Sequence, residues 1–340
     1  MKFLKGCEMY PEDNSEIREC RQKKGSLLGR LVKIFFIGIM IILNVFLVLI
    51  LAGIISLFAT SRQDMYIENV IVPGPETDKL VVINLCGVIG NEMSYDIKEQ
   101  IDLAREDDNV RGIIFRVNSP GGMVSSSDQI YNEIRKYRME TNEPAVAFMQ
   151  SVAASGGYYV SAACDSIVAE PTAITGSIGV IMGYFVFQNL LEEKLGIQPV
   201  IIKSGLKKDW PSSFQAPTEE QQRYLEEKII EPSFTRFVEI VAEGRPDLTI
   251  DSVRRLADGS IYPAQEALDE YLIDSIGYLD TAIDELKQLA GLEEALVVEY
   301  ERPFSLSEFL RSEAISPLKI TKAKLYEFTT PEVMYLWRAF

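Results

Sequence analysis

The run Ile34–Ala59, IFFIGIMIILNVFLVLILAGIISLFA, has 26 residues and no charged side chain. As a helix rising about 1.5 Å per residue it is long enough for a hydrocarbon core about 30 Å thick. A core helix of a soluble domain keeps a polar stripe, and this run has none. A cleaved leader has an apolar stretch of only about 7–15 residues, so the length favours a retained anchor over removal near Ala59. Arg18, Arg21, Lys23, Lys24, Arg30 and Lys33 precede the run, and Arg62, Asp64, Glu68, Glu76 and Asp78 follow it. The positive flank stays in the cytoplasm. The expectation is a basic cytoplasmic segment over 1–33, a single-pass anchor over 34–59 and an extracytoplasmic body.

That body is acidic. Residues 1–59 carry 8 basic and 5 acidic side chains, whereas the whole chain stands at -16. Nucleic-acid binding relies on Lys and Arg to neutralise phosphates and is not expected here. The four cysteines, at 7, 20, 86 and 164, form no CxxC pair. Cys86 and Cys164 lie in apolar surroundings and read as small core residues.

Residues 60–79 contain Val72-Pro73-Gly74-Pro75 and read as a linker. Beyond it, apolar β-branched runs at Leu80–Leu85, Gly112–Val117 and Ala145–Met149 read as buried strands. Ser166–Ala169 and Gly179–Met182 are shorter candidates. Helical spacing appears at Tyr95–Arg105, at about Ser125–Tyr137 and at about Ser155–Cys164. From Thr218 to Gly244 the pattern is helical, opening on the capping box Thr218-Glu219-Glu220-Gln221. Smaller helices are expected near 251–257, 263–270 and 280–289. Strands and helices alternating over short connections imply an α/β fold with parallel strands.

The chain has no histidine. That removes Ser-His-Asp and Cys-His catalysis and every His-ligated metal site. Two strand-to-helix corners remain of interest. Asn118-Ser119-Pro120-Gly121-Gly122 has adjacent glycines, which let backbone N–H groups approach a ligand as half of an oxyanion hole. In Ala153-Ala154-Ser155-Gly156-Gly157, Ser155 is either a helix cap or a nucleophile, with the Gly156 N–H as a second donor. Thr175-Gly176-Ser177-Ile178-Gly179 is a third small-residue loop, read alone as a tight turn.

A serine nucleophile without histidine needs another base, and lysine serves in known variants of the triad. A lysine accepts a proton only as the free amine, and lowering its pKa from about 10.4 to about 7–8 takes burial or a neighbouring positive charge. The segment Ile201–Trp210, IIKSGLKKDW, offers Lys207 and Lys208, and composition does not choose between them.

The ordered set NSPGG, AASGGYY, TGSIGVI, EKLGI and SG-x-x-KD resembles the signal peptide peptidase A family, membrane-anchored Ser-Lys serine proteases, in its short form with one protease domain. The likeness runs from about Leu80 to Gly277. It implies Ser155 as nucleophile and Lys208, immediately before Asp209, as general base, with Lys207 on a variable position. It implies Gly122 and Gly156 as the oxyanion hole and Ser177 as the residue that holds the lysine. It also implies a Clp-protease/crotonase-like fold of stacked ββα units and a homo-oligomeric ring or dome with inward-facing sites. The substrates implied are remnant signal peptides and other apolar segments beside the membrane, with no metal or organic cofactor. The protease domain is then expected over 80–300 and a C-terminal extension over 301–340. Met123 and Val124 after the PGG turn depart from the pattern. Two other readings follow from the same residues: a related protease that cuts specific partner proteins, and a non-catalytic peptide-binding scaffold. The apolar end Met334–Phe340 is expected to pack on the domain or a neighbour, or to enter an active site.

Overall fold

The computed structural model describes residues 27–58, 66–303 and 332–337. Cys7, Cys20 and the basic residues before 27 lie outside the described residues, as do 59–65 and most of the extension expected over 301–340. The chain divides into two compact units, Met1–Arg62 and Gln63–Phe340.

In the first unit α1 (Leu27–Phe58) carries the uncharged run from Ile34 to Phe58. Its stretch Leu31–Gly53 has a mean hydropathy of 3.2 and is long and apolar enough to cross a membrane. Large side chains such as Phe35, Ile42 and Leu49 are exposed along it.

The second unit begins with β1 (Ile67–Val72), β2 (Lys79–Cys86), α2 (Asn91–Glu106), β3 (Val110–Ser119), β4 (Gly121–Met123) and α3 (Val124–Thr141). Then come β5 (Ala145–Ala154), α4 (Gly156–Ser161), β6 (Ser166–Ala169), β7 (Ile174–Gly176) and β8 (Ile181–Gly183). A helical stretch follows, of α5 (Glu219–Leu225), a π-helical turn Glu226–Ile230 and α6 (Glu231–Gly244). The remainder is α7 (Ile250–Leu256), β9 (Ile261–Pro263), α8 (Ala264–Asp269), β10 (Ser275–Ile276), α9 (Leu279–Ala290), β11 (Leu296–Glu301) and β12 (Glu332–Leu336).

Nine strands form one mixed sheet in the order β1-β11-β2-β3-β5-β6-β10, with β7 continuing the far end of β5 and β9 beside it. β11, β2, β3, β5 and β6 run parallel. Successive side chains of a strand point to opposite faces, so a strand covered on both sides reads as an unbroken apolar run. Val81, Ile83, Ile113 and Phe115 enter the larger core, with Tyr131 of α3 and Phe237 of α6. Leu80, Val82, Ile114 and Val146 face the other way, onto Ala282, Ile283 and Leu286 of α9. A second, three-stranded sheet, β4-β12-β8, stands apart from the first.

Several expectations shift. Ile67–Val72 lies within the stretch read as a linker, yet pairs antiparallel with β11. Its half-polar pattern hides a strand at a sheet edge. The strand expected at Gly179–Met182 is seen at Ile181–Gly183 and belongs to the small sheet. Cys164 is buried, as expected, and burial pushes its thiol pKa up. Cys86 is exposed, a correction: it is the last residue of β2, beyond the covered part of the strand.

Arg245 ties α6 to the sheet. Its Nε donates to the Tyr271 carbonyl at 2.9 Å, and its two terminal nitrogens donate to both Asp274 oxygens at 2.7 and 2.8 Å. Asp274 also accepts the Ile167 N–H at 2.8 Å. Burial works against the guanidinium charge, and the Asp274 bonds more than offset it. Arg245→Met is expected to destabilise the domain by about 1–3 kcal/mol in denaturant unfolding, because it removes the buried guanidinium's bonds to the part-exposed Asp274 carboxylate and to the Tyr271 carbonyl. A change below about 1 kcal/mol would class the pair with exposed ion pairs.

Candidate active site

Four of the five residues singled out above converge at one end of β5. Strand β5 stops at Ala154, Ser155 turns the chain, and α4 begins at Gly156. Ser155 has φ 54° and ψ −114°, a conformation that L residues rarely adopt. A sharp strand-to-helix elbow of this kind presents a serine nucleophile in other folds, and here the residue is 1% exposed. The turn is fixed from both sides: the Ser155 N–H donates to the Gly176 carbonyl at 2.7 Å, and its carbonyl accepts the Tyr159 N–H at 2.8 Å. The hydroxyl makes no cap bond to α4, so the cap reading does not explain this serine.

Ser177 stands beside it. Ala154 pairs with Gly176, so the residues that follow them leave adjacent strands side by side. Ser177 also has positive φ, at 49°, and its N–H is held by the Ser260 carbonyl at 2.7 Å.

The Pro-Gly-Gly turn faces the elbow. The Ser119 hydroxyl donates to the Gly87 carbonyl at 2.6 Å and accepts the Gly121 N–H at 3.1 Å, which locks the turn. Gly121 has φ +98°, and a Cβ there would lie 2.1 Å from the Tyr335 carbonyl oxygen and 2.6 Å from the Gly156 nitrogen. A Cβ on Gly156 would lie 2.6 Å from Ser127 Oγ and 3.1 Å from the Gly122 nitrogen. Glycine is required at both positions because two backbones meet with no room for a side chain.

Strand β12 lies across this turn. The Met123 N–H goes to the Ile89 carbonyl at 2.8 Å, and the Gly121 carbonyl takes the Ile89 N–H at 2.9 Å. Strand alternation therefore turns the Gly122 N–H and C=O toward the other edge. There Tyr335 stands opposite Gly122 and Met334 opposite Met123, antiparallel. The Trp337 N–H continues the ladder to the Pro120 carbonyl at 2.8 Å. On its second edge β12 pairs with Ile181–Gly183. The C-terminal segment thus lies as an extended peptide between two strands, with its Tyr335 carbonyl toward the Gly122 N–H. Of the two expectations for this tail, packing on the domain is met. It does so between Gly121–Met123 and Ile181–Gly183, beside the Pro-Gly-Gly turn. Tyr335→Ala is expected to loosen the tail and raise kcat/KM for a short peptide by about 3- to 10-fold, because the tail competes at high effective concentration. Saturating kcat should stay constant; an unchanged kcat/KM would mean that the tail does not compete.

Lys208 is not brought to Ser155. It is exposed on an irregular arm between β8 and α5, and its amine makes no hydrogen bond or ion pair among the described residues. Its N–H bonds the Gly205 carbonyl at 3.1 Å. Asp209 is committed to Lys203 at 2.7 and 2.8 Å, which lowers the Asp209 pKa. The Lys207 amine lies over the rings of Trp210 and Tyr224, 5.3 and 4.2 Å from their centroids. The same arm exposes Leu206 at 81%, Ile202 at 97% and Val200 at 84%, an apolar surface that none of the described residues covers.

Tyr159 and Phe237, which line the cleft beneath β12, were not among the expected site residues. Their apolar character and helical spacing mark core positions, and only the tail's position distinguishes them.

A Clp protease family model matches residues 77–172, the span of β2 to β6, and the α/β fold is Clp protease-like. Similarity to peptidase family S49 and to relatives named as proteases supports a serine-type peptidase. A model of peptidase family S49 matches residues 138–293, which include that elbow. A candidate signal peptide peptidase SppA of Enterococcus faecium is 36% identical over 262 residues, 74% of each chain. A candidate protease of Methanocaldococcus jannaschii is 34% identical over 79% of this chain and 87% of its own. The chloroplastic serine protease SPPA of Arabidopsis thaliana is 34% identical over 69% of this chain and 35% of its own. A ClpP1 mutant from Listeria monocytogenes matches 58% of this chain and 91% of its own at 17% identity, with a TM-score of 0.39. The chain belongs to peptidase family S49.

Proposed function

We propose that the protein is a membrane-anchored Ser-Lys endopeptidase that degrades remnant signal peptides and other apolar segments at the extracytoplasmic face. The observation that carries this reading is the uncapped, positive-φ Ser155 beside an extended strand held on Gly122. Ser155 Oγ attacks the substrate carbonyl carbon, and its proton passes to the neutral Lys208 amine. The Gly122 and Gly156 N–H groups hold the oxyanion. The C–N bond then breaks, and the lysine returns the proton to the leaving amine. Water, activated by the same lysine, hydrolyses the acyl-enzyme. Ser177 steadies the lysine beside Ser155.

Lys208 comes from a second copy of the chain. Its exposed arm, with Val200, Ile202 and Leu206 bare, favours a mate whose surface would bury the amine that catalysis needs neutral. Residues 34–59 anchor the chain with the basic segment cytoplasmic, which rests on the length of the apolar run and the charge of its flanks. The test is hydrolysis of apolar peptides by the detergent-solubilised full chain, comparing wild type with Ser155→Ala, Lys207→Ala and Lys208→Ala. Equal activity in all four would remove the dyad.

A further inference from the structure

We infer that Glu170 is a positioning residue for the nucleophile: its carboxylate holds a strained bulge in β5 that sets the height and direction of Ser155. This rests on the protease reading proposed above and adds a residue that acts through the strand rather than on the substrate.

Strand β5 does not run evenly to its elbow. On the β3 side Val117 faces Met149 and Ser119 faces Ala153, so β5 takes four residues where β3 takes two. Laid flat, the two extra residues would carry the strand about 7 Å further. Folded out as a bulge, they keep Ala153 level with Ser119, whose hydroxyl locks the Pro-Gly-Gly turn. The bulge therefore decides whether Ser155 and Gly156 arrive opposite that turn or beyond it.

The chain does not keep this shape by itself. Ser151, at the apex, has φ 55°, in the left-handed region that a Cβ makes unfavourable. Its N–H donates to Glu170 Oε2 at 3.2 Å, while the Glu170 N–H donates to the Met149 carbonyl at 3.0 Å. One residue thus grips the bulge at its root and at its apex. Glu170 is itself fixed, because its carbonyl takes the Ala173 N–H at 2.9 Å in the turn that joins β6 to β7. Among the described residues its carboxylate has no cation partner and no second hydrogen bond, so its bonding goes to Ser151 alone.

Beyond the bulge, β7 takes over from β6 as the neighbour of β5. Val152–Ala154 pair with Ile174–Gly176, and the buried Thr175 hydroxyl donates to the Ala153 carbonyl at 2.7 Å. The three residues before Ser155 are held as a rigid piece. A shift at Ser151 is passed on to the elbow instead of being absorbed.

The test compares wild type, Glu170→Ala and Glu170→Gln as full-length chains in detergent, with Ser155→Ala as the blank. Each is read for kcat and KM on an apolar peptide, for the rate at which a fluorophosphonate labels Ser155, and for its denaturant midpoint. Glu170→Ala is expected to lower kcat and the labelling rate together by about 10-fold, with KM within about 2-fold, because a small displacement of a reacting group acts on the chemical step. Glu170→Gln keeps an oxygen within reach of the Ser151 N–H and should return both rates to within about 3-fold of wild type. A merely structural role would move the midpoint and leave the rate per folded molecule unchanged. Rates near wild type in Glu170→Ala, or Glu170→Gln impaired as deeply as Glu170→Ala, overturn the inference and leave the protease reading standing. Absence of any Ser155-dependent turnover in wild type overturns both.

Discussion

Ser155→Ala is expected to lower peptide hydrolysis by on the order of 10⁴-fold or more, to near the background of binding and oxyanion contacts alone. A residue at φ 54° and ψ −114° would be replaced by glycine at little cost if only the turn mattered. Serine is held there by two backbone hydrogen bonds, and its hydroxyl is left out of the α4 cap. The alanine variant keeps the backbone and removes only the oxygen, so stability should change little while turnover collapses. Lys208→Ala should match it, since nucleophile and base act as a unit and either loss disables both. Lys207→Ala should stay within about 3-fold, because a cation over two rings contributes local packing and no chemistry. Initial rates for the three variants, with unfolding curves alongside, check this. A fully active Ser155→Ala enzyme would end the nucleophile assignment.

The parts of the fold legible in the sequence are those whose physics is local. LVVINL, GIIFRV and AVAFM are largely buried on both faces, and each is readable as a strand because at most one polar residue, Asn84 or Arg116, interrupts its apolar run. Thr218 announces its helix through a cap made within four residues. Strand Ile67–Val72 was not readable, because IENVIV gains its order from β11, far along the chain. β12 is the extreme case. EVMYL has no partner within a hundred residues, and its pairing with Gly121–Met123 follows only from the assembled cleft.

The site divides the same way. Ser155, Gly156 and Gly122 stand out as small residues at strand-to-helix corners, whereas Ser177 alone reads as part of a tight turn and is singled out only by the resemblance. Their convergence follows from parallel strands that end at one level. Lys208 was reached by elimination of histidine and by resemblance, and the fold of one chain leaves it in solvent. Tyr159 and Phe237 do not stand out in the sequence because a residue that packs the core and one that packs against the C-terminal strand have the same hydropathy.

Mixing two inactive variants is expected to restore activity. Take Ser155→Ala, which keeps Lys208, and Lys208→Ala, which keeps Ser155, and co-express them in equal amounts. If each site draws its serine from one copy and its lysine from the next, random assembly leaves about a quarter of the sites with both groups intact, a recovery to roughly a quarter of wild-type activity. If one chain supplied both groups, no mixed site would hold the pair, and activity would remain at the level of the single variants. The structure bears on which outcome to expect. The arm that carries Lys208 exposes Ile202 at 97% and Leu206 at 81%, apolar surface that water penalises until something covers it. A lysine in open solvent is a poor base, whereas the same lysine driven against a neighbour's cleft loses its water and, with it, its proton. Burying the arm and activating the base would then be one event, and an isolated chain would carry a nucleophile without the means to use it. Ile202→Asp on the arm should act like loss of the lysine, through assembly rather than chemistry. Sedimentation of that variant separates the two causes: smaller particles with Lys208 intact would place the defect at the contact between copies.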